Sequence, residues 1–200
     1  MKNLLIALFA LLTVGASAQL KPGVRLGLHY ASIDASGEGI EFGAQTSYTV
    51  GVFNEFALTD RLSLQPELMF TQRDAIATAG LVTIGGGDYT SMTRSIDLPV
   101  LAKVNLRLPK DTGVYFLGGP QFTVNTRHEY RIGSVADNVS GSVRDLNRTE
   151  LGLVGGAGVK LLGFFVDGRY QHGVTKRSVG EPVLGDTYNR GWTLSLGYQF

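Results

Sequence analysis

The sequence predicts an all-β fold, an eight-stranded antiparallel up-and-down transmembrane β-barrel. Three observations predict it. Apolar and polar residues alternate with period two in eight segments, the connections between these segments alternate between long and short, and the chain starts with an export signal. Successive residues of a strand point to opposite faces, so the alternation gives each segment one apolar face. Because no later stretch is apolar enough for a membrane helix, a membrane location requires a closed barrel, which pairs every backbone group.

The first 18 residues have the pattern of a cleaved secretory signal peptide. Met1 to Asn3 form a short basic start, Leu4 to Leu12 are apolar, and Ala16-Ser17-Ala18 is a small-x-small cleavage site. The apolar run is shorter than the roughly 20 residues that a membrane-spanning helix needs. We therefore expect cleavage after Ala18, which divides the chain into a signal peptide, residues 1–18, and one barrel domain, residues 19–200.

The first four predicted strands, residues 22–31, 46–58, 62–73 and 92–107, have long and regular apolar faces. Each face holds large apolar residues at nearly every second position, with Asn54 as an exception. In chain order these residues are Val24, Leu26, Leu28 and Tyr30; Tyr48, Val50, Val52, Phe56 and Leu58; Leu62, Leu64, Leu68 and Phe70; and Ile96, Leu98, Val100, Ala102, Val104 and Leu106.

The last four predicted strands, residues 113–127, 147–160, 164–174 and 190–200, continue the pattern. The glycine run 155–158 interrupts the second of them, where we expect a close approach of strands or a bulge rather than a nucleotide-binding loop, since no helix follows. The apolar residues are Val114, Phe116, Phe122 and Val124; Leu151, Leu153, Ala157 and Val159; Phe164, Val166 and Tyr170; and Trp192, Leu194, Leu196, Tyr198 and Phe200.

The connections alternate in length along the whole chain. Residues 33–44, 74–91, 128–146 and 175–189 form long connections, whereas 59–61, 108–112 and 161–163 form short turns. This order places all long loops at one end of the barrel and both termini with the short turns at the other. Outer-membrane barrels have short periplasmic turns and longer extracellular loops, so we expect the long loops to face the cell exterior.

A soluble up-and-down barrel such as a lipocalin also has eight strands, with its apolar faces turned inward. Two features favour the membrane barrel instead. Aromatic residues of the apolar faces fall into two bands near the predicted barrel ends, as a bilayer selects. The polar faces carry both signs of charge in near balance, which suits an internal ion-pair network. The predicted lumen charge network is Arg25, Glu55, Glu67, Asp97, Lys103, Lys160, Asp167 and Arg169.

Several sequence segments resemble the outer-membrane β-barrel domain family, whose members are often labelled porin-family proteins and include small eight-stranded barrels. These segments are K-P-G-V-R-L-G-L from Lys21, L-S-L-Q-P-E-L-M-F-T-Q-R from Leu62, S-I-D-L-P-V-L-A-K-V from Ser95, L-G-G-P-Q-F from Leu117 and the final G-Y-Q-F. The resemblance implies the fold and an outer-membrane location, but no catalytic motif. Tyr198 and Phe200 also resemble the signal that hands such barrels to their assembly machinery. A wide pore is not expected, because porins use about 16–18 strands.

The sequence offers little support for catalysis or a cofactor. None of the three histidines, His29, His128 and His172, stands in a catalytic or metal-ligand pattern. Cysteine is absent, which excludes disulfides, thiolate metal sites and lipid attachment at cysteine. Loss of Lys2 with the signal leaves equal numbers of basic and acidic side chains, so a nucleic-acid partner is not indicated.

Basic residues concentrate near the long-loop end. Arg94, Arg148 and Arg190 are assigned by parity to the lipid-facing side, where we expect them to contact anionic head groups of the outer leaflet. Arg73 and Arg127 have the opposite parity and are expected at the lumen mouth. The alternative is that these charges only solvate the exposed end of the barrel.

The function expected from the sequence is a non-enzymatic, monomeric outer-membrane barrel. It would be a structural component of the membrane and a rigid platform for surface loops, which are able to bind an extracellular ligand. A narrow pore for ions or small solutes is the main alternative, and a lipid-modifying enzyme is a third. The state of the lumen distinguishes the first two.

Overall fold

The structure is a computed structural model that describes residues 20–35, 42–77, 89–108, 112–133, 138–142, 149–175 and 187–200. The predicted signal peptide and Arg148 lie outside these residues. The described part contains no helix that is long and apolar enough to cross a membrane. Its strands are β1 (Leu20–Ala35), β2 (Phe42–Ala57), β3 (Leu62–Ala77), β4 (Tyr89–Leu108), β5 (Thr112–Gly133), β6 (Asn138–Ser142), β7 (Thr149–Leu161), β8 (Phe164–Gly173) and β9 (Thr187–Gln199).

Eight of these strands form a closed antiparallel barrel in the order β1-β2-β3-β4-β5-β7-β8-β9. The sheet closes where β1 pairs with β9, from Gly23 opposite Gln199 to Ala35 opposite Thr187. Two ladders connect strands that are not neighbours along the chain. One is this closing pair, and the other is the β5–β7 pair, because β6 comes between these strands in the sequence. The predicted eight-stranded up-and-down fold is confirmed.

The apolar faces of the barrel point outward and the polar faces point inward. Leu26 and Leu196 are 60% and 56% exposed, whereas Arg25 and His29 on the same strand as Leu26 are 3% and 2% exposed. A barrel that stays in water has the reverse arrangement, with its apolar faces inside. The observed arrangement requires an apolar solvent around the barrel, so it excludes the lipocalin alternative and fits a bilayer.

The strands at the long-loop end extend further than the sequence indicated. β5 is 22 residues long, about twice the 9–11 residues that a transmembrane strand needs. The predicted connection 128–146 was therefore wrong in part, because β5 continues to Gly133 and pairs there with β6. Strand ends that project beyond the bilayer do not need one apolar face, so they lack the alternation by which the other strands were found.

Tight turns connect the strands at the other end, which we call the short-turn end. Leu162 and Gly163 form the two-residue turn between β7 and β8 and have φ angles of 50° and 89°. Positive φ at both central residues defines a type I′ turn, whose twist matches that of the flanking strands. The predicted turn 161–163 is confirmed.

The glycines of β7 let neighbouring strands and side chains come close. β7 pairs with β5 and β8 without a register shift, so there is no bulge here. A Cβ atom added to Gly156 would lie 2.4 Å from the Gly168 carbonyl oxygen, and one added to Gly158 would lie 2.5 Å from the Tyr115 ring. Gly155 points the other way and a Cβ there meets nothing within 4 Å. Of the two expected explanations, close approach is the one observed.

Gly156→Ala should lower the free energy of unfolding by about 1–3 kcal/mol, because the new methyl group overlaps a backbone carbonyl that cannot move away easily. Gly155→Ala, on the adjacent outward position, is the matched control and should have little effect. Urea unfolding of the barrel refolded in lipid vesicles measures both. Equal stabilities of the two variants would contradict the inward close approach.

Candidate functional site

The lumen contains all eight charged residues that the sequence assigned to it. Arg25, Glu67, Asp167 and Arg169 lie near its middle, and Asp97 lies toward the long-loop end. Seven of the eight are buried and Lys160 is half-buried. Together they form three groups of contacts at different heights, which we call the central, upper and lower clusters.

The central cluster contains two arginines and two carboxylates, Arg25, Arg169, Glu67 and Asp167. Arg25 donates to Glu67 Oε1 at 3.0 Å and to Asp167 Oδ1 at 2.5 Å. Arg169 donates to Glu67 Oε2 at 2.8 Å and to Asp167 Oδ1 at 3.1 Å. Each carboxylate is therefore shared by both arginines, and the cluster carries no net charge.

The central cluster crosses the whole lumen. Glu67 lies on β3 and Arg169 lies on β8, which are four strands apart in either direction around the barrel. Neutral donors complete the hydrogen bonding, since Gln65 Nε2 donates to Glu67 at 2.6 Å and Tyr115 OH donates to Asp167 at 2.9 Å. A buried ion pair needs such additional bonds to offset the loss of hydration. Here Gln65 on β3 supplies one and Tyr115 on β5 supplies the other.

A group of apolar side chains lies beside the central cluster inside the barrel. The Phe53 and Phe165 rings meet edge to face with centroids 5.5 Å apart, and the Arg25 guanidinium lies 5.6 Å from the Phe165 centroid. The sequence analysis missed this group. The sequence does contain an indication of it, because Phe53 and Phe165 are large apolar residues at inward positions, where the other residues of the strands are mostly polar. The group is Phe53, Leu101, Tyr115, Leu117, Val154 and Phe165.

The upper cluster is centred on Asp97. Arg73 donates to Asp97 Oδ2 at 2.8 Å, and the Thr71 and Thr123 hydroxyls donate to the same carboxylate at 2.7 Å and 2.8 Å. Arg73 is only 5% exposed. It was expected at the lumen mouth rather than in the charge network, but it is the ion-pair partner that Asp97 needs.

The lower cluster is centred on Glu55, near the short-turn end. Lys103 Nζ donates to Glu55 Oε2 at 2.8 Å and lies 4.2 Å from the Tyr115 ring centroid. Lys160 donates its hydrogen bond to the Gln199 carboxamide oxygen, and Gln199 in turn donates to Glu55 at 3.0 Å. Gln199 was not among the predicted site residues, although its inward parity was apparent.

In the described part of the barrel, one cavity lies above the central cluster and another lies below it. One has a volume of about 40 Å³ and is lined by residues of the central and upper clusters, including Arg25, Arg73 and Asp97. The other has a volume of about 730 Å³ at the short-turn end and is lined by Lys21, Glu55 and Lys160 among others. The two share no lining residue. The central cluster and the apolar group separate them.

The histidines form no reactive arrangement in the described residues. His29 is 2% exposed and its Nδ1 lies 2.8 Å from Thr193 Oγ1. His172 pairs with Arg190 across β8 and β9, and the side chain of His128 lies outside the described part. No group of three or more histidine or carboxylate side chains that could hold a metal ion occurs among the described residues.

Among the described arginines at the long-loop rim, Arg127 differs from expectation. Arg94 lies between the buried residues Thr93 and Ser95 and so faces outward. A bulge at Thr126 then brings Arg127 opposite Arg94 and leaves it exposed, so the prediction that Arg127 faces the lumen mouth was wrong. Arg148 lies outside the described residues, so its position at the rim stays a prediction.

Aromatic side chains line both rims on the outside of the barrel. Tyr170 and Trp192 lie 4.9 Å apart near the long-loop rim. At the short-turn end the Tyr198 ring contacts both Phe164 and Phe200, with centroid distances of 4.9 Å and 5.2 Å. Phe200 is 71% exposed toward the lipid side. The assembly role of Tyr198 and Phe200 stays a prediction.

The family model for the outer membrane protein β-barrel domain matches residues 16–178. The chain belongs to this family. Membership places the barrel in the outer membrane and agrees with its apolar exterior.

Comparison with solved structures gave matches that span nearly the whole chain. Ail, the attachment invasion locus protein of Yersinia pestis, solved with the heparin analogue sucrose octasulfate, is 16% identical, covers 91% of this chain and 99% of its own, and has a TM-score of 0.46. Neisserial surface protein A is 9% identical, with coverages of 90% and 97% and a TM-score of 0.46. The translocator domain of the autotransporter NalP from Neisseria meningitidis is 11% identical, with coverages of 100% and 95% and a TM-score of 0.41. No curated protein matches the sequence.

Glu67→Ala should destabilise the barrel by about 3–5 kcal/mol, because it leaves Arg25 and Arg169 buried without their shared carboxylate. Asp60→Ala removes an equal charge from the exposed turn between β2 and β3 and should change stability little. Urea unfolding in lipid vesicles compares the two variants. If Glu67→Ala unfolds at the wild-type urea concentration, the central cluster does not hold the barrel together.

Proposed function

We propose that this protein is a non-enzymatic, monomeric barrel that is a structural component of the outer membrane and a rigid platform for surface loops, with a lumen closed to ions. The observation that carries the proposal is the central cluster, which joins opposite walls of the lumen. Together with the apolar group it fills the lumen between the two cavities described above. An eight-stranded barrel is just wide enough for side chains to fill its interior.

The ion pairs across the lumen make the barrel rigid, which supports its role as a platform for loops. Function commonly resides on loops that a rigid scaffold holds in position, and the long connections all leave the barrel at one end. The β5–β6 hairpin extends the scaffold at that end beyond the barrel ladder. We propose that an extracellular ligand binds there, with the barrel itself contributing position rather than chemistry.

The purified wild-type barrel should produce no steady open-channel conductance in planar bilayers. A double variant, Glu67→Ala with Phe165→Ala, removes parts of both barriers and should conduct measurably more often. The control for a general loss of barrel stability is Asp60→Ala combined with Leu196→Ala, which changes an exposed turn and the lipid face. Large and steady wild-type conductance would support the narrow-pore function instead.

We also propose that the outward arginines at the long-loop rim bind phosphate groups of outer-leaflet glycolipids. Arg94 and Arg190 lie half-buried at this rim, where a charge on the lipid side costs only about 0–1 kcal/mol. A guanidinium matches phosphate geometry with two parallel hydrogen bonds. Lipid binding and loop presentation are compatible because they use different faces of the same rim.

Phosphorylated glycolipid should raise the urea midpoint of the wild-type barrel in vesicles, since it binds the folded state. The double variant Arg94→Ala with Arg190→Ala should lose most of this increase. Arg61→Ala at the short-turn end should retain it. An equal increase in all three proteins would assign the rim arginines to ordinary solvated charge.

A further inference from the structure

The cavity at the short-turn end has the size of a small-molecule site. Its volume of about 730 Å³ falls within the range of about 300–1,000 Å³ that is typical of ligand pockets. We call it the vestibule and define it by the polar residues Lys21, Glu55, Asn105, Lys160 and Gln199, which line it. These residues come from β1, β2, β4, β7 and β9, so the site exists only in the closed barrel.

Glu55, the carboxylate in this set, is fully engaged by other donors. Its Oε1 accepts hydrogen bonds from Ser63 at 2.8 Å and Asn105 at 3.1 Å. Its Oε2 accepts from Lys103 at 2.8 Å and Gln199 at 3.0 Å. A carboxylate offers about four acceptor positions. Glu55 therefore has no acceptor position left for a further ammonium group, and its charge is matched by Lys103.

Two ammonium groups in the vestibule are left without such a partner. Lys160 donates to the neutral carboxamide of Gln199, and Lys21, which is paired in register with Glu55, contributes only its backbone carbonyl to the surrounding bonds. Within the described part of the chain, no carboxylate lies within 4 Å of either ammonium. The vestibule thus has an excess of positive charge beside Glu55 and Lys103.

We propose that the vestibule is a binding site for a small anion that carries phosphate or several carboxylates. Lys21 and Lys160 supply the charge, and an ammonium group binds phosphate as a point charge. The central cluster blocks approach from the long-loop end, so the anion enters from the short-turn side, which is the periplasm in the proposed orientation.

The test is calorimetric titration of the refolded full chain, in a neutral detergent, with inorganic phosphate and with citrate. Lys21→Gln should weaken binding of both about tenfold, and Lys21→Gln with Lys160→Gln should abolish it. Arg94→Gln with Arg127→Gln removes the same charge from the opposite rim and should bind like the wild type. Because the Lys21 ammonium takes no part in the bonds around Glu55, the single variant should fold normally, as the mobility of the unheated barrel on gels will show.

Lys160→Arg keeps the charge and should retain binding of both anions. The proposal is overturned if phosphate and citrate do not bind the wild type, or if the vestibule and rim variants lose affinity equally. Nanodiscs then distinguish two sources of the anionic group. Phosphatidylglycerol nanodiscs will lower the apparent phosphate affinity relative to phosphatidylcholine nanodiscs if a lipid head group occupies the vestibule. Equal affinities would assign the site to a soluble anion.

Discussion

Closure of the sheet between β1 and β9 is the constraint on which the rest of this structure depends. In lipid an unpaired strand edge leaves backbone groups without hydrogen bonds, so a sheet must close completely. Closing after eight strands makes the interior narrow and forces the inward side chains into contact across it. Because the bilayer favours apolar residues on the outside of the barrel, polar and charged residues fill the lumen. Ion pairs between opposite walls follow from these two conditions.

The central and upper clusters meet these conditions with no net charge, and the lower cluster has one more lysine than carboxylate. In the central cluster two arginines share Glu67 and Asp167, and neutral donors complete the bonding. The upper and lower clusters each place one carboxylate among several donors. Burial of an isolated charge would be costly, so the close balance of signs is a requirement of the narrow interior. Among the described residues, the excess of lysine lies at the short-turn end, where the lumen opens to water.

The sequence revealed the barrel and the inward charges because both depend on period-two alternation alone. It did not reveal which charges pair, since partners such as Glu67 and Arg169 are 102 residues apart and meet only through the barrel register. Arg73 faces inward as expected, but its ion pair with Asp97 was not foreseen because pairing depends on the barrel register, which alternation does not specify. Arg127 was placed on the wrong face because a single bulge residue, Thr126, reverses parity. Phe53 and Phe165 broke the polar pattern, but only closure shows that they meet.

Gln199 connects the closing strand β9 to side chains inside the lumen. Its carboxamide accepts from Lys160 on β7 and donates both to Glu55 on β2 and to the backbone of Lys21 on β1. Before β9 docks, Lys160 lacks its acceptor and Glu55 lacks one of its four donors. Closing the seam between β1 and β9 therefore brings one side chain into hydrogen bonds with three other strands. The same amide thus anchors the closing strand to the inner wall of the barrel, in addition to the backbone ladder between β1 and β9.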